Sequence, residues 1–343
     1  MGHRVVLIAG DGIGPEVTAA VQRVLTAADA PVTFEEHYVG ATALQHGYDD
    51  VLPEQTIKAV REYGIALKGP CTTPIGRGFS SVNVALRKIL ELYAAIRPVR
   101  SMPGVRTNFG GNVDLRIVRE NTEGLYSGVE NTITKDVVAS MKVATRPACH
   151  RIALWAFRYA THRNRQRVTV FHKANIMKMT DGMFLEEARK VHRNDYPNIQ
   201  YEELIIDAAL MRLVQDPSRF DIILCENLYG DLVSDLCAGL VGGLGVAPGA
   251  SIGDEHAVFE AVHGSAPDIA GKNLANPLAL LMSADMMLNH LADTRDDASC
   301  RATAERVKAA YDRALKEGQT TQDLGGNLST NEFTEAIIAR LPR

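Results

Sequence analysis

Hydrophobic positions fall into short continuous runs and helical stripes that alternate along much of the chain. Arg4–Ala9 reads as a buried strand, and Gly10-Asp11-Gly12-Ile13-Gly14-Pro15 as a turn with Pro15 placed to open a helix. In that helix Val17, Val21, Val24, Leu25 and Ala28 form one apolar stripe. Further strands are predicted at Val32–Tyr38, Ile65–Lys68, Ala94–Val99, Val113–Arg119, Arg167–His172, Gln200–Ile206 and Phe220–Cys225. Helical patterns lie between many of them, at Pro53–Tyr63, Val82–Leu92, Pro147–Arg163, Gly182–His192 and Ala208–Val214. This alternation predicts an α/β architecture with some parallel pairing. From Gly124 to Arg146 the pattern is β-rich and partly polar, as in a protruding hairpin or an oligomer contact. The last hundred residues are helix-rich, at Asn276–His290, Ala304–Leu315 and Glu332–Leu341.

Composition narrows the class. The 343 residues are 46% hydrophobic and 23% charged with a net charge of -4, which is globular and long enough for about two domains or one large α/β unit. Acids and bases are interspersed, so no nucleic-acid partner is expected. No apolar run reaches the roughly 18 residues that span a bilayer, so no membrane partner is expected. The N-terminal residues enter a strand pattern without a charged-then-apolar leader, and Cys71, Cys149, Cys225, Cys237 and Cys300 are scattered without C-x-x-C spacing. Together these set the expectation of reduced thiols in a cytoplasmic protein.

The densest chemistry follows the apolar run Phe220–Cys225. Asp231 and Asp235 lie four apart in a helix behind a strand, on one face, where two carboxylates suit a hard divalent cation. The plain alternative is that Asp231 caps the helix and Asp235 is a solvated acid. Asp207 could complete a metal site or merely cap its own helix. Ser81, Asn83 and Arg87 span a helix entry, while Arg97 and Arg119 end strands, where α/β proteins place ligand contacts. Three such Arg could hold a polycarboxylate by forked hydrogen bonds, or each could pair with a nearby acid such as Glu91 or Glu120. Lys173, at a strand end, is a candidate proton acceptor and Tyr126 a candidate donor. The small-residue loop His263–Lys272 could admit an adenosine or phosphate to its backbone. Gly10-x-Gly12-x-Gly14 lacks the dinucleotide spacing, and Pro15 removes an N–H, so it is read as a tight turn.

Taken together, Arg119–Glu123, His172–Met177, Asn227–Asp235 and Glu260–Gly271 resemble the isocitrate/isopropylmalate dehydrogenase family, nearly end to end. The resemblance implies a two-domain fold with a central mixed sheet flanked by helices and a β-rich dimer clasp. Residues 1–92 and 242–343 would form a large, discontinuous cofactor-binding domain. Residues 93–241 would form a small domain carrying substrate and metal residues and dimer contacts, with the clasp at 124–146. It implies metal ligation by Asp231 and Asp235, with Asp207 from a second protomer. Arg87, Arg97 and Arg119 would hold substrate carboxylates, with Ser81 and Asn83 beside them. Lys173 (also from the second protomer), Asp207 and Tyr126 would be catalytic. His263, Gly264, Ser265, Ala266, Pro267, Asp268, Ile269 and Asn276 would bind the adenosine half of the cofactor, with Thr72 near the nicotinamide.

The polar pair Ser81 and Asn83 fits a third carboxylate, because an isopropyl group would leave their donors unpaired. Asp268-Ile269 replaces the Lys and Tyr of NADP-dependent members, and Gln322 and Gly326 stand where those members offer Tyr and Arg. An Asp accepts hydrogen bonds from ribose hydroxyls and repels a phosphate, which implies NAD. The expectation is therefore NAD- and Mg2+- or Mn2+-dependent oxidative decarboxylation of isocitrate, a tricarboxylic acid cycle reaction. The chain would work as a homodimer or higher homo-oligomer with active sites shared between subunits. Homoisocitrate, 3-isopropylmalate or tartrate are rival substrates, and a non-catalytic regulatory subunit is a rival class.

Overall fold

The protein is described as a computed structural model covering residues 2–72, 81–107, 109 and 112–342. Numbered along the chain, its strands are β1 (His3–Ile8), β2 (Val32–His37), β3 (Ile65–Lys68), β4 (Ala94–Arg100), β5 (Asp114–Glu120), β6 (Gly124–Thr134), β7 (Val137–Val143), β8 (Arg167–His172), β9 (Gln200–Ile205), β10 (Ile222–Cys225), β11 (Pro248–Ile252) and β12 (Ala257–Ala261). The helices are α1 (Gly14–Ala27), α2 (Ala41–Gln45), α3 (Glu54–Tyr63), α4 (Val82–Ile89), α5 (Arg146–His162), α6 (Thr180–Asp195), α7 (Ile206–Gln215), α8 (Asn227–Val241), α9 (Leu278–Arg295), α10 (Ala298–Lys316) and α11 (Thr330–Ile338). The fold is mixed α/β, in two compact units.

The first unit comprises residues 1–90, 101–108 and 241–343. Its strands lie in the order β2-β1-β3-β12-β11, parallel except for the antiparallel β11–β12 pair. Strands β3 and β12 are buried throughout and β1 from Val5 onward, as in parallel strands covered on both faces, while the edge strand β2 is only partly buried. Val5, Val6, Ile8, Ala66 and Leu67 are fully buried. Helix α9 lies against β11 and β12 and buries Leu280, Met287, Leu288 and Leu291. Each such side chain contributes about 1.5–3 kcal/mol. Residues 101–108 pack here rather than with the segment around them in sequence. A Cβ at Gly104 would strike the Leu315 backbone, and one at Gly242 would meet Val105.

The second unit comprises residues 91–100 and 109–240. Its order is β4-β5-β10-β8-β9, with β4–β5 antiparallel and the rest parallel. Helix α5 covers β5, β8 and β10 with Ile152, Ala156 and Phe157, all fully buried. The hairpin β6–β7 pairs only with itself, and exposes Ile133 at 66% and Val138 at 65%. Among the described residues no helix is long and apolar enough to cross a membrane.

Several expectations shift. Strands β11 and β12 and helix α2 were not foreseen. Helix α4 ends at Ile89, and the chain turns through Glu91 in a left-handed conformation (φ 51°). Helix α8 begins at Asn227, so Asp231 stands in its second turn and does not cap it. Its exposed first N–H groups are met instead by Glu226, whose carboxylate accepts from Leu228 N at 3.3 Å and Tyr229 N at 3.2 Å. Ser81 occupies the N-cap position of α4, but its side chain makes no capping bond. The N-cap of α7 is Ile205, with Asp207 in the first turn.

Candidate active site

In the second unit the centre of the candidate site is a buried guanidinium. Arg119 is 1% exposed at the end of β5. Its Nε and Nη2 both donate to Asn227 Oδ1, at 2.9 and 2.7 Å, and its Nη1 donates to Asp231 Oδ1. Tyr126 donates its hydroxyl to the other oxygen, Asp231 Oδ2, and its ring lies 5.1 Å from the Arg119 guanidinium carbon. The turn joining β5 to β6 is organised by Glu120, which accepts from Thr122 N at 3.0 Å and Glu123 N at 2.9 Å. Burial, then the hydrogen bond to Asp231, pushes the Tyr126 phenol up, so it stays protonated and can donate.

Asp235 lies one turn beyond Asp231. Desolvation of its carboxyl, then the charge on Asp231, raises its pKa, while Arg97 and Arg119 oppose the rise. A carboxylate burdened by its neighbour in this way fits a divalent cation, and the all-oxygen donor set of the pair fits a hard one.

Lys173 and Asp207 form a separate couple. Lys173 Nζ lies 2.5 Å from Asp207 Oδ1, and this bond lowers the Asp207 pKa. The Lys173 amide donates to Asp181 Oδ2 at 2.7 Å. Asp207 does not join Asp231 and Asp235 in a cluster of ligand atoms within this chain. Among the described residues the only such trio within 4.8 Å is His3, Asp297 and Cys300. There Asp297 caps α10 through Ser299 N at 2.9 Å and pairs with His3 at 2.8 Å, which explains the grouping without an ion.

In the first unit, Arg87 Nη2 approaches Glu260 Oε1 at 3.4 Å, and Glu260 Oε2 lies 2.7 Å from the fully buried Lys68. The partner of Arg87 is thus Glu260, not Glu91. Asn83 Oδ1 and Arg87 Nε are buried without hydrogen-bond partners among the described residues. Buried polar atoms left this way point to a ligand.

The glycine turn of this unit is a packing device. Gly10 and Gly12 have φ of 80° and 61°. A Cβ at Gly12 would run into the Ser265 carbonyl oxygen, to which Ile13 N donates at 2.9 Å. Asp11 ties the surroundings together. Its carboxylate accepts from Thr42 N at 2.7 Å, Thr42 Oγ1 at 2.6 Å, Ala41 N at 3.2 Å and Thr72 N at 2.6 Å. Thr72 Oγ1 reaches Ser265 Oγ at 2.7 Å. The turn therefore seats the His263–Ile269 loop beside Thr72. Among the described residues His263 Nε2 is buried without a partner, and burial lowers the His263 pKa, favouring the neutral ring. The Asn276 side chain is engaged, donating to Asp323 at 3.0 Å and capping α9 through Leu278 N at 2.9 Å. Gly264, Pro267 and Asp268 line the open side of the loop, while Ala266 adopts φ 37°. The broad cleft of about 990 Å³ lined by Tyr48–Lys58, Val82, Ala85 and Ile89 contains none of the candidate residues.

Sequence reading missed Asn227 and Gly230. Without a Cβ, Gly230 lets Arg119 lie against α8; an added Cβ would sit 2.5 Å from Arg119 Cγ. Nothing in the local sequence marks either residue, because their partner is more than a hundred positions away.

Comparison with known proteins agrees with this architecture. Residues 4–337 match the family model described as isocitrate/isopropylmalate dehydrogenase. An Arabidopsis thaliana protein named isocitrate dehydrogenase (NAD) catalytic subunit 5, mitochondrial, is 50% identical, over 98% of this chain and 87% of its own length. A Dictyostelium discoideum protein, named as a mitochondrial regulatory subunit of isocitrate dehydrogenase (NAD), is 48% identical, over 99% of this chain and 92% of its own. The crystal structure of isocitrate dehydrogenase from Methylococcus capsulatus superposes with a TM-score of 0.93 at 43% identity, covering 99% of this chain and 100% of that one. The cytoplasmic placement expected from the sequence is corrected by these relatives, several of which are named as mitochondrial subunits. Free cysteines report a reducing environment and do not tell one such compartment from another. With family model, relatives and fold in agreement, the chain belongs to the isocitrate/isopropylmalate dehydrogenase family.

Proposed function

We propose that this protein catalyses the NAD-dependent oxidative decarboxylation of isocitrate to 2-oxoglutarate and CO2, a reaction of the tricarboxylic acid cycle. It is an enzyme of the NAD-dependent isocitrate dehydrogenase type, with NAD and Mg2+ or Mn2+ as cofactors. The observation that carries the reading is the joint hold of Arg119 and Tyr126 on Asp231, one turn before Asp235.

Asp231 and Asp235 would hold the metal, their carboxylate oxygens forming a hard donor set. When bound, the metal supplies Lewis acidity at the substrate hydroxyl and carbonyl, and the nicotinamide supplies a hydride acceptor. Arg87, Arg97 and Arg119 would hold the carboxylates, with Ser81 and Asn83, whose oxygen is unpartnered among the described residues, as further substrate contacts. Lys173, oriented by Asp207, would take the hydroxyl proton. Tyr126, whose phenol is held protonated, would return a proton to carbon after CO2 leaves.

Lys173 and Asp207 keep to each other within the chain, which supports their acting in the site of a second protomer. The exposed apolar residues of β6–β7, including Val137 and Met141, support that hairpin as the contact between copies. The His263–Ile269 loop would bind the adenosine half of NAD, with Asp268 at the ribose hydroxyls. Gly326 supports NAD over NADP, since any side chain there would strike the Thr320 carbonyl.

A regulatory role is the competing reading, because one relative is named for it. The presence of Tyr126, Lys173, Asp207, Asp231 and Asp235 together favours catalysis. The test is a two-by-two assay of isocitrate against 3-isopropylmalate with NAD against NADP, each with Mg2+ and with EDTA. Turnover is expected only for isocitrate with NAD and metal. Turnover of 3-isopropylmalate instead, or none with any pair, overturns the proposal.

A further inference from the structure

We infer that Asn227 is a positioning residue that aims Arg119 at the substrate without setting a second anion against its charge. The inference rests on the reading of Arg119 as a carboxylate ligand. Asn227 is 1% exposed and opens α8 directly behind β10. One atom, Oδ1, accepts from both Nε and Nη2 of Arg119, at 2.9 and 2.7 Å. Its Nδ2 donates to the carbonyl oxygen of Glu123 at 2.9 Å. A single amide thus fixes the end of β5, the turn leading to Tyr126 and the start of the helix carrying Asp231.

Two guanidinium donors converging on one group is an arrangement usually completed by a carboxylate. A carboxylate in this buried place would add a second anion to the one that Asp231 already sets on Arg119. It would also set an acceptor against the Glu123 carbonyl, which needs a donor. The amide oxygen accepts the same bonds without a charge, so Asp231 is the one anion it leaves on Arg119 among these contacts, and more of the positive charge is left for an incoming carboxylate. Amide donor and amide acceptor are both used, so neither Asp nor Leu, the nearest isosteres, reproduces the clamp. Gly230 completes it by letting the Arg119 stem lie flat against α8.

The test measures isocitrate binding by calorimetry in the presence of Mn2+, with folding checked by circular dichroism. Asn227→Asp is expected to weaken isocitrate about 10- to 100-fold, and Asn227→Ala by less, about tenfold. That order is informative, because Asp keeps the shape and an acceptor oxygen, so a merely structural role would make it the milder change. NAD affinity should move less than about twofold in either variant. In an Arg119→Lys background, Asn227→Asp should add little further loss, since both changes act on one interaction. The inference is overturned if Asn227→Asp binds isocitrate like the parent, if Asn227→Ala is the worse of the two, or if the loss repeats in full beside Arg119→Lys. If Arg119→Lys itself leaves isocitrate binding unchanged, the assignment of Arg119 is what fails. Should Asn227→Asp not fold, Asn227→Ser, which breaks the clamp without adding charge, is compared with the parent in both backgrounds under the same criteria.

Discussion

Lys173 Nζ meets Asp207 Oδ1 at 2.5 Å, joining the end of β8 to the first turn of α7. In the proposed mechanism Lys173 is the base and Asp207 sets its orientation. Lys173→Met is expected to lower kcat about 100-fold or more, within the range for a lost general base, with a smaller change in KM for isocitrate. Co-expressing Lys173→Met with Asp231→Asn should restore activity that neither variant has alone, because one composite site would contain both intact residues. Steady-state rates of the purified mixture check this, and no recovery would rule out sharing between subunits.

Asp231→Asn removes a carboxylate that engages Arg119 and Tyr126. Mn2+-dependent isocitrate binding should weaken by about 100-fold, comparable with other losses around metal sites. The melting temperature should fall by only a few degrees, because Asn227 still accepts two bonds from Arg119. Calorimetry with and without Mn2+, beside a thermal melt, separates the two effects.

Glu226 is 9% exposed, and burial raises its pKa, while Lys142 at 3.5 Å opposes the rise. A carboxyl whose pKa is higher folded than unfolded contributes stability at low pH that is lost as pH climbs through the raised value. Glu226→Gln keeps an oxygen to cap α8 and removes the titration. The melting temperature of the parent minus that of the variant should decline as pH rises across the carboxylate range. Parallel curves would show that Glu226 does not titrate with folding.

Asp268 is exposed on the loop that the glycine turn holds in place. Asp268→Lys should lower kcat/KM for NAD about tenfold by removing an acceptor for ribose hydroxyls, and raise that for NADP. The preference should narrow without inverting, since Gly326 cannot carry a cationic side chain on this backbone. Initial rates with both dinucleotides decide it.

The strands that read clearly in sequence are those whose apolar runs are covered on both faces. Strand β8 spans Arg167–His172, as its run of Val168, Val170 and Phe171 predicts. Strand β11 was hidden because Pro248-Gly249-Ala250-Ser251 has the chemistry of a loop and becomes a strand only by pairing with β12. The start of α8 is hard to read for a related reason. The group meeting its first N–H groups is Glu226, a side chain outside the usual capping set, which is why a cap at Asp231 stood as an alternative. Acids, arginines and the tyrosine of the candidate site were legible as residue types in ordered motifs. Asn227 was not, because an amide declares its role only through a partner on another strand.

The layout of the first unit bears on how the chain is made. Strands β1, β2 and β3 are complete by residue 68, yet β3 pairs with β12, which begins at residue 257. The second unit is contributed almost entirely by the stretch between them. During synthesis, at about 5–20 residues per second, the amino-terminal strands therefore wait for roughly ten seconds or more with an unpaired β3 edge. Over the same interval every strand of the second unit has emerged. The inserted unit can close first, and the open edge of β3 is among the last to be paired.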